Sequence, residues 1–378
     1  MFTRRIFLRL KDWVGRVCKP WSAMAAQPVE KQRSALLLGG GKYIDTSNNP
    51  QTTKFVFSIL DTATALPRLI ELSFLAHGNA LDPLNPERII VFEKMGPGAC
   101  EVNLRNAAVT RMLQPHPERN FYGHGEFSRD GSLLYSTETY IKSSKGVIAI
   151  RDAKSLELLD EFPSYGDNPH DCHLIDDGKV MVISNGGGTM ESSHAPCICY
   201  VDVASRKLLE KVEPSSKHIN TGHFECYGNG NLVVVSAPRK GLEQAGLGGV
   251  SIRNGKHKKL VTMSKPGAII SRMKGEALSL SIHEASHTVG VTHPDGDMVT
   301  FWSVETGALL KTINLSKPRG ISQSTLQDRF IISYGSTASL MELDINTLQS
   351  VPDSEKAATY LTGSHIYNWD AKMRASST

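Results

Sequence analysis

The sequence predicts an all-β chain, a seven-bladed β-propeller whose last blade is closed by strands from both ends. Three observations carry this expectation. Asp130-Gly131, Asp177-Gly178 and Asp295-Gly296 each separate two apolar runs. Such pairs are strong hairpin signals, because glycine accepts positive φ at no steric cost. Groups of four short segments rich in β-branched and aromatic residues recur along the chain; self-similarity at roughly 40–50 residues with four strands per unit is the sign of a propeller. After Tyr360 only one strand's worth of pattern remains, whereas the N-terminal segment offers three strands without a first one. Joined, they complete a blade, and ring closure of that kind removes free sheet edges.

The stretch 121–163 is the most legible unit. Strands are expected at 123–127, 133–137, 147–151 and 156–162, with no apolar residues at helical spacing. Ahead of it lie strands at 34–38, 54–60 and 68–74, then a unit at 78–81, 88–93, 99–104 and 109–113. Later units fall at 170–174, 180–184, 198–202 and 208–212, then 222–226, 232–236, 249–253 and 260–263. Two more follow at 278–283, 288–292, 298–302 and 309–313, and at 320–324, 330–333, 339–343 and 348–351, before a last strand at 363–369. Gly39-Gly40-Gly41 lacks the G-K-[ST] ending of a phosphate loop, so it reads as a strand end where backbone passes close to another element. A β-sandwich is the rival architecture; regular four-strand grouping over the whole chain argues against it.

The composition, 21% charged and 40% hydrophobic, suits a folded core. No run of eighteen apolar residues exists, so no membrane span is expected. The first 25 residues hold six of the 42 Lys and Arg and one of the 38 acids; the remainder carries 36 basic and 37 acidic residues. The basic balance therefore belongs to the segment 1–33, read as leader and linker, and a nucleic-acid surface on the domain 34–378 is not expected. Thr3-Arg4-Arg5-Ile6-Phe7-Leu8 resembles a twin-arginine export signal, with Ala23-Met24-Ala25 as a small-residue cleavage site. The expectation is export to the periplasm. Arg16, Lys19 and Pro20 interrupt the apolar run such a signal needs, and a basic arm on a cytoplasmic protein is the alternative. Beyond Cys18, five cysteines form no disulfide pattern; Cys197 and Cys199 share a strand face, but two thiols alone make a poor metal site.

Histidine placement is the functional signal. His77, His124, His170 and His223 open successive units at intervals of 47, 46 and 53 residues. His283 and His365 lie in first strands of later units, and Arg319-Gly320 takes that place in the unit between. First strands line a propeller's central channel, so these side chains are expected to converge at one mouth. Imidazole is the commonest metal ligand, and a ring of histidines suits iron, copper or zinc with open positions. His124 and His170 are the first-choice metal ligands. Glu126, Glu138, Asp171, Glu225 and Arg319 are candidates for supporting roles around them. Polar lining of a wet channel is the plain alternative. His116, His194, His218 and His257 fall off the pattern, while His287 and His293 are ambiguous, the second opening a Pro-Asp-Gly turn. No serine is marked as activated, and no G-x-S-x-G or H-E-x-x-H is present.

At Phe121-Tyr-Gly-His-Gly-Glu-Phe-Ser-Arg-Asp-Gly-Ser-Leu-Leu-Tyr-Ser-Thr-Glu, Gly146-Val-Ile and Asn168-Pro-His-Asp the chain resembles the DUF1513 family. These are uncharacterised bacterial proteins similar to the β-chain-like propellers of quinoprotein amine dehydrogenases. The resemblance runs from about Ser34 to Trp369 and includes His77-Gly78, Gly123-His124-Gly125 and Pro169-His170; Asp171 stands where the family tends to have Glu. It implies a propeller that accompanies imelysin-like periplasmic proteins and di-haem redox proteins, and hence a link to iron handling. The expected function is binding of a metal, a small ligand or a partner at the His-rich channel mouth, in iron uptake or redox chemistry. A lactonase-like or quinoprotein-like propeller enzyme and a ligand-free interaction scaffold are the alternatives.

Overall fold

Strand follows strand with short turns, as the Asp-Gly pairs and β-branched runs require. The computed structural model describes residues 36–369, apart from 48, 65, 229, 244–245, 256–258, 325–327 and 337. The leader 1–33, with its twin-arginine-like run and Cys18, lies outside the described residues, as does His257. Among the described residues no helix is long and apolar enough to cross a membrane.

The all-β class expected from the sequence is present, with helix confined to short turns. The strands β1 (Leu36–Asp45), β2 (Thr52–Asp61) and β3 (Arg68–Leu72) form an antiparallel meander. A second meander holds β4 (Ala76–Leu81), β5 (Arg88–Gly96), β6 (Ala99–Asn103) and β7 (Ala108–Leu113). The third holds β8 (Arg119–Phe127), β9 (Leu133–Tyr140), β10 (Lys145–Asp152) and β11 (Leu158–Asp167). These two join into one eight-stranded sheet where Lys94 of β5 pairs with Tyr122 of β8. Next come β12 (Pro169–Ile175), β13 (Val180–Asn185), β14 (Cys197–Asp202) and β15 (Leu208–Val212). They are followed by β16 (Phe224–Tyr227), β17 (Asn231–Ser236), β18 (Gly249–Arg253) and β19 (Val261–Thr262). Another four-stranded sheet holds β20 (Leu280–His283), β21 (Thr288–His293), β22 (Met298–Ser303) and β23 (Leu309–Asn314). A three-stranded sheet holds β24 (Pro318–Ser324), β25 (Arg329–Tyr334) and β26 (Ser339–Asp344). Last, β27 (Tyr367–Asn368) pairs with β1, Leu37 opposite Asn368, so the two ends of the described chain share a sheet.

Two expectations need correction. The strand predicted at 348–351 is reduced to a single bridge, Leu343 to Ser350. Leu348 there has φ 55°, a left-handed conformation that interrupts a ladder. Gly39-Gly40-Gly41 does not end its strand; all three residues pair with β2. The close approach is real, however. A Cβ on Gly39 would sit 2.7 Å from the His365 carbonyl oxygen, on Gly40 2.2 Å from that of Ala76, and on Gly41 1.7 Å from that of Tyr360. Backbone leaves no room for adjustment. Gly40→Ala is therefore expected to destabilise by about 1–3 kcal/mol, as overpacking does. The urea midpoint should fall accordingly, and an unchanged midpoint would refute the close approach.

Between the sheets, apolar faces meet in clusters such as Val289, Val291, Trp302 and Val304, or Phe301, Phe330 and Leu343, all fully buried. Each such side chain contributes about 1.5–3 kcal/mol of transfer free energy. His293 is sealed in beside the first of these, its Nε2 2.9 Å from Thr300 Oγ1, which also accepts the Trp302 indole N–H. Burial pushes its pKa down to about 3. A histidine kept neutral by folding contributes stability that is complete above the unfolded pKa near 6.5 and is lost as pH falls toward 3. The loss from this residue is on the order of 3–5 kcal/mol. In His293→Gln the acid limb of a stability–pH curve should be shallower by one proton; an unchanged slope would refute this.

Candidate functional site

The first strand of several sheets is broken at the same place. Register shifts occur between Ala76 and Gly78, between Phe121 and Gly125, between Pro169 and Asp171, and between Pro318 and Ile321. His77, His124 and His170 lie inside the first three of these irregularities. A bulge re-aims side chains that strict alternation would send to a sheet face. Hydroxyls on the neighbouring strand take over backbone groups freed by the break. Thr137 Oγ1 donates to the His124 carbonyl (3.1 Å), Ser184 Oγ accepts from Asp171 N–H (3.0 Å) and Ser333 Oγ accepts from Gly320 N–H (2.9 Å). Gly123 has φ 115°, and a Cβ there would lie 2.5 Å from the His77 ring, so only glycine serves at this position.

These devices bring five histidines together. His77 on β4, His124 on β8, His170 on β12, His223 just before β16 and His365 just before β27 form one cluster of facing rings. The Nε2 atoms of His170 and His223 are 2.8 Å apart, those of His77 and His223 3.0 Å, and those of His77 and His170 3.4 Å. One nitrogen from each of His77, His124, His223 and His365 lies within 4.8 Å of all the others. That set contains His124 but not His170, which sits at its edge. His223 Nδ1 donates to the Leu278 carbonyl (2.7 Å), which leaves its neutral Nε2 as a lone pair facing the cluster. Burial pushes His77, His170 and His223 well below the ordinary imidazole pKa; Lys94 adds to the effect at His77 and His170, and the neighbouring imidazoles add to it at His223.

Asp171 faces His124, Oδ1 to Nδ1 at 3.1 Å, and His173, Oδ2 to Nε2 at 3.6 Å. Burial pushes its carboxyl up, but His124 and His173 outweigh that and hold it below the usual carboxylate range. Burial disfavours charge on His173, yet Asp171 and Glu126 raise its pKa to about 10. Glu126 Oε2 lies 3.3 Å from His173 Nδ1 and accepts the Leu174 N–H; Glu225 Oε2 accepts the Ile282 N–H. A cavity of about 150 Å³ opens on this side, lined by His124, His223, His365, Asn79 and these carboxylates.

Three expected residues lie elsewhere. His283 is at the hairpin end of β20, its Nδ1 2.7 Å from Ser286 Oγ. In that sheet the backbone position gripped by a neighbouring hydroxyl, Thr292, is Ser279, four residues earlier. Arg319 donates through Nε to the Thr362 carbonyl (3.1 Å) and braces that segment instead of meeting a histidine. Glu138 is buried between Arg119 and Arg151. Sequence reasoning missed His173 and Asn79. His173 was findable: it stands two residues after Asp171 on one strand, hence on the same face. Cys197 and Cys199 do share a face, Sγ to Sγ 3.7 Å, and both are fully buried.

A search of curated proteins finds no match to this chain. Among solved structures, a chain of Kuenenia stuttgartiensis hydrazine synthase is similar, with TM-score 0.62 and 12% identity over 82% of this chain and 97% of that one. The likeness establishes a β-propeller fold and nothing of the chemistry. The profile of a family described as "Protein of unknown function (DUF1513)" matches residues 70–371. That match spans well over half of the sequence, includes all five clustered histidines, and carries one conclusion: the chain belongs to the DUF1513 family.

Proposed function

We propose that this is a seven-bladed propeller that holds one transition-metal ion in a five-histidine centre at its channel, and that it is exported to the periplasm to serve iron uptake or redox chemistry. The seven-blade ring is supported by the run of adjoining first strands, β4 to β8 to β12 and β16 to β20 to β24 to β27, and by the pairing of β27 with β1. The twin-arginine-like run at Thr3–Leu8 supports export.

One observation carries the metal reading: five imidazoles converge, with three Nε2 atoms 2.8–3.4 Å apart. With metal–nitrogen bonds of ~2.0–2.1 Å, ligand edges are about 3.3 Å in a tetrahedron and about 2.9 Å in an octahedron. The nitrogens thus already sit at ligand spacing. Four of these histidines offer nitrogens within 4.8 Å of one another with His170 beside them, and iron or copper accepts four or five imidazoles with a position open. Asp171 on His124 and the Leu278 carbonyl on His223 supply the hydrogen bonds that orient metal-bound imidazoles. The test is elemental analysis of purified protein after separate loading with iron, copper and zinc. About one ion per chain is expected with iron or copper. No ion under any condition would refute the reading, leave the histidines as channel lining and favour the scaffold alternative.

A further inference from the structure

We infer that four fully buried hydroxyls, those of Thr137, Ser184, Thr292 and Ser333, are positioning residues that set the geometry of the histidine centre. This rests on the metal reading above and names what holds the ligands in place. Each hydroxyl sits on the second strand of its sheet, β9, β13, β21 or β25. Each accepts a backbone N–H from the residue 13 positions earlier: His124 (3.4 Å), Asp171 (3.0 Å), Ser279 (3.1 Å) and Gly320 (2.9 Å). A constant interval in four sheets marks one device used four times.

Every gripped position adjoins the centre. His124 is itself one of the clustered imidazoles. Asp171 follows His170 and places its carboxylate 3.1 Å from His124 Nδ1. Ser279 follows Leu278, whose carbonyl accepts from His223 Nδ1. Gly320 backs onto the His365 segment, where an added Cβ would lie 2.8 Å from the His365 carbonyl carbon. Thr292 also donates to the Arg319 carbonyl (2.6 Å), which ties its grip to that of Ser333 in the next sheet. At these positions the ladder shifts register or ends. Backbone N–H and C=O groups left over there are buried and must find partners. A hydroxyl both donates and accepts, so one side chain can take both, as Thr137 does at His124. Ser236 shows the converse. It stands 13 residues after His223 on β17, and its buried Oγ has no partner. The Val235 N–H reaches the His223 carbonyl directly (2.9 Å), so nothing is left for a hydroxyl to hold.

The test is a cobalt(II) titration of full-length protein, with affinity and absorption bands read together. Thr137→Val keeps the shape of threonine and removes the hydroxyl. It should weaken cobalt about tenfold and shift the bands, the scale seen when an outer partner of a metal ligand is lost. Thr137→Ser restores the donor and acceptor and should come within about twofold of wild type. Ser236→Ala, which removes a hydroxyl that holds nothing, should match wild type in both readouts. Ser184→Ala releases Asp171 and carries the same expectation as Thr137→Val in an independent sheet, should the first variant not fold. Hydrogen exchange on metal-free protein adds a readout without any ion: the His124 amide should exchange about tenfold faster in Thr137→Val and at the wild-type rate in Ser236→Ala. Wild-type cobalt affinity and bands in Thr137→Val, or no rescue by serine, would overturn the inference and leave the metal reading standing. Faster exchange with unchanged cobalt binding would make the hydroxyl a brace for the fold alone, which overturns it too. Failure of wild type to take up cobalt would overturn the metal reading and, with it, the role assigned to the hydroxyls.

Discussion

Alanine in place of His223 should take the metal content from about one ion per chain to none. This histidine is nearest the middle of the cluster, with Nε2 2.8 Å from that of His170 and 3.0 Å from that of His77. Its Nδ1 is committed to the Leu278 carbonyl, so the nitrogen it offers is already the unprotonated one. Removing it takes away a ligand and the group that fixes the distance between two others. Thermal unfolding gives an independent readout. A ligand bound only by the folded state adds about 2.7 kcal/mol at a hundredfold excess over Kd. Wild type should gain this on metal addition and His223→Ala should not. His124→Ala should behave alike. The loss in His170→Ala should be smaller, since His170 lies outside the four-nitrogen set. Unchanged stoichiometry in the His223 variant would sink the five-histidine centre.

Glu138→Ala should cost about 3–5 kcal/mol without touching the metal. Glu138 is fully buried on β9, with Oε1 2.7 Å from Arg151 Nη2 and Oε2 3.2 Å from Arg119 Nε. Both arginines are sealed in, Arg119 stacked near Tyr140 and Arg151 near Phe121. Without the carboxylate, Arg151 keeps a buried charge that has lost its anion, and Arg119 retains only Glu161. The cost comes from stranding those charges, which solvent cannot reach. Urea unfolding should show a large drop in midpoint, while folded protein retains wild-type metal content. A loss of under 1 kcal/mol would mean that the cations relax toward other partners.

Much of the architecture was legible because strands and turns are local. Alternating apolar residues around Asp130-Gly131 specify a hairpin whatever surrounds them, and the interval between histidines follows from the length of one four-stranded unit. Convergence of His77, His124, His170, His223 and His365 was expected from the same spacing. The error at His283 is instructive. It lies in a first strand, as expected, but four residues beyond the position where a neighbouring hydroxyl grips the backbone. Period-two reasoning cannot see where a strand is broken. Glu138 was expected near the histidines, but it stands on β9 opposite Phe121 and its carboxylate is taken by Arg119 and Arg151.

The sequence by itself determined the all-β class, the strand groups, the closure of one sheet by both ends, and the histidines at strand openings. Each follows from side-chain period and turn chemistry within a few residues. Only the tertiary structure decided which imidazoles meet. That depends on register shifts in β4, β8 and β12, on the Gly39–Gly41 seat that lets the strand carrying His77 and the segment carrying His365 approach, and on Asp171 reaching both His124 and His173. These contacts join residues far apart in the chain, and a one-residue shift in any of them would turn a histidine to another face.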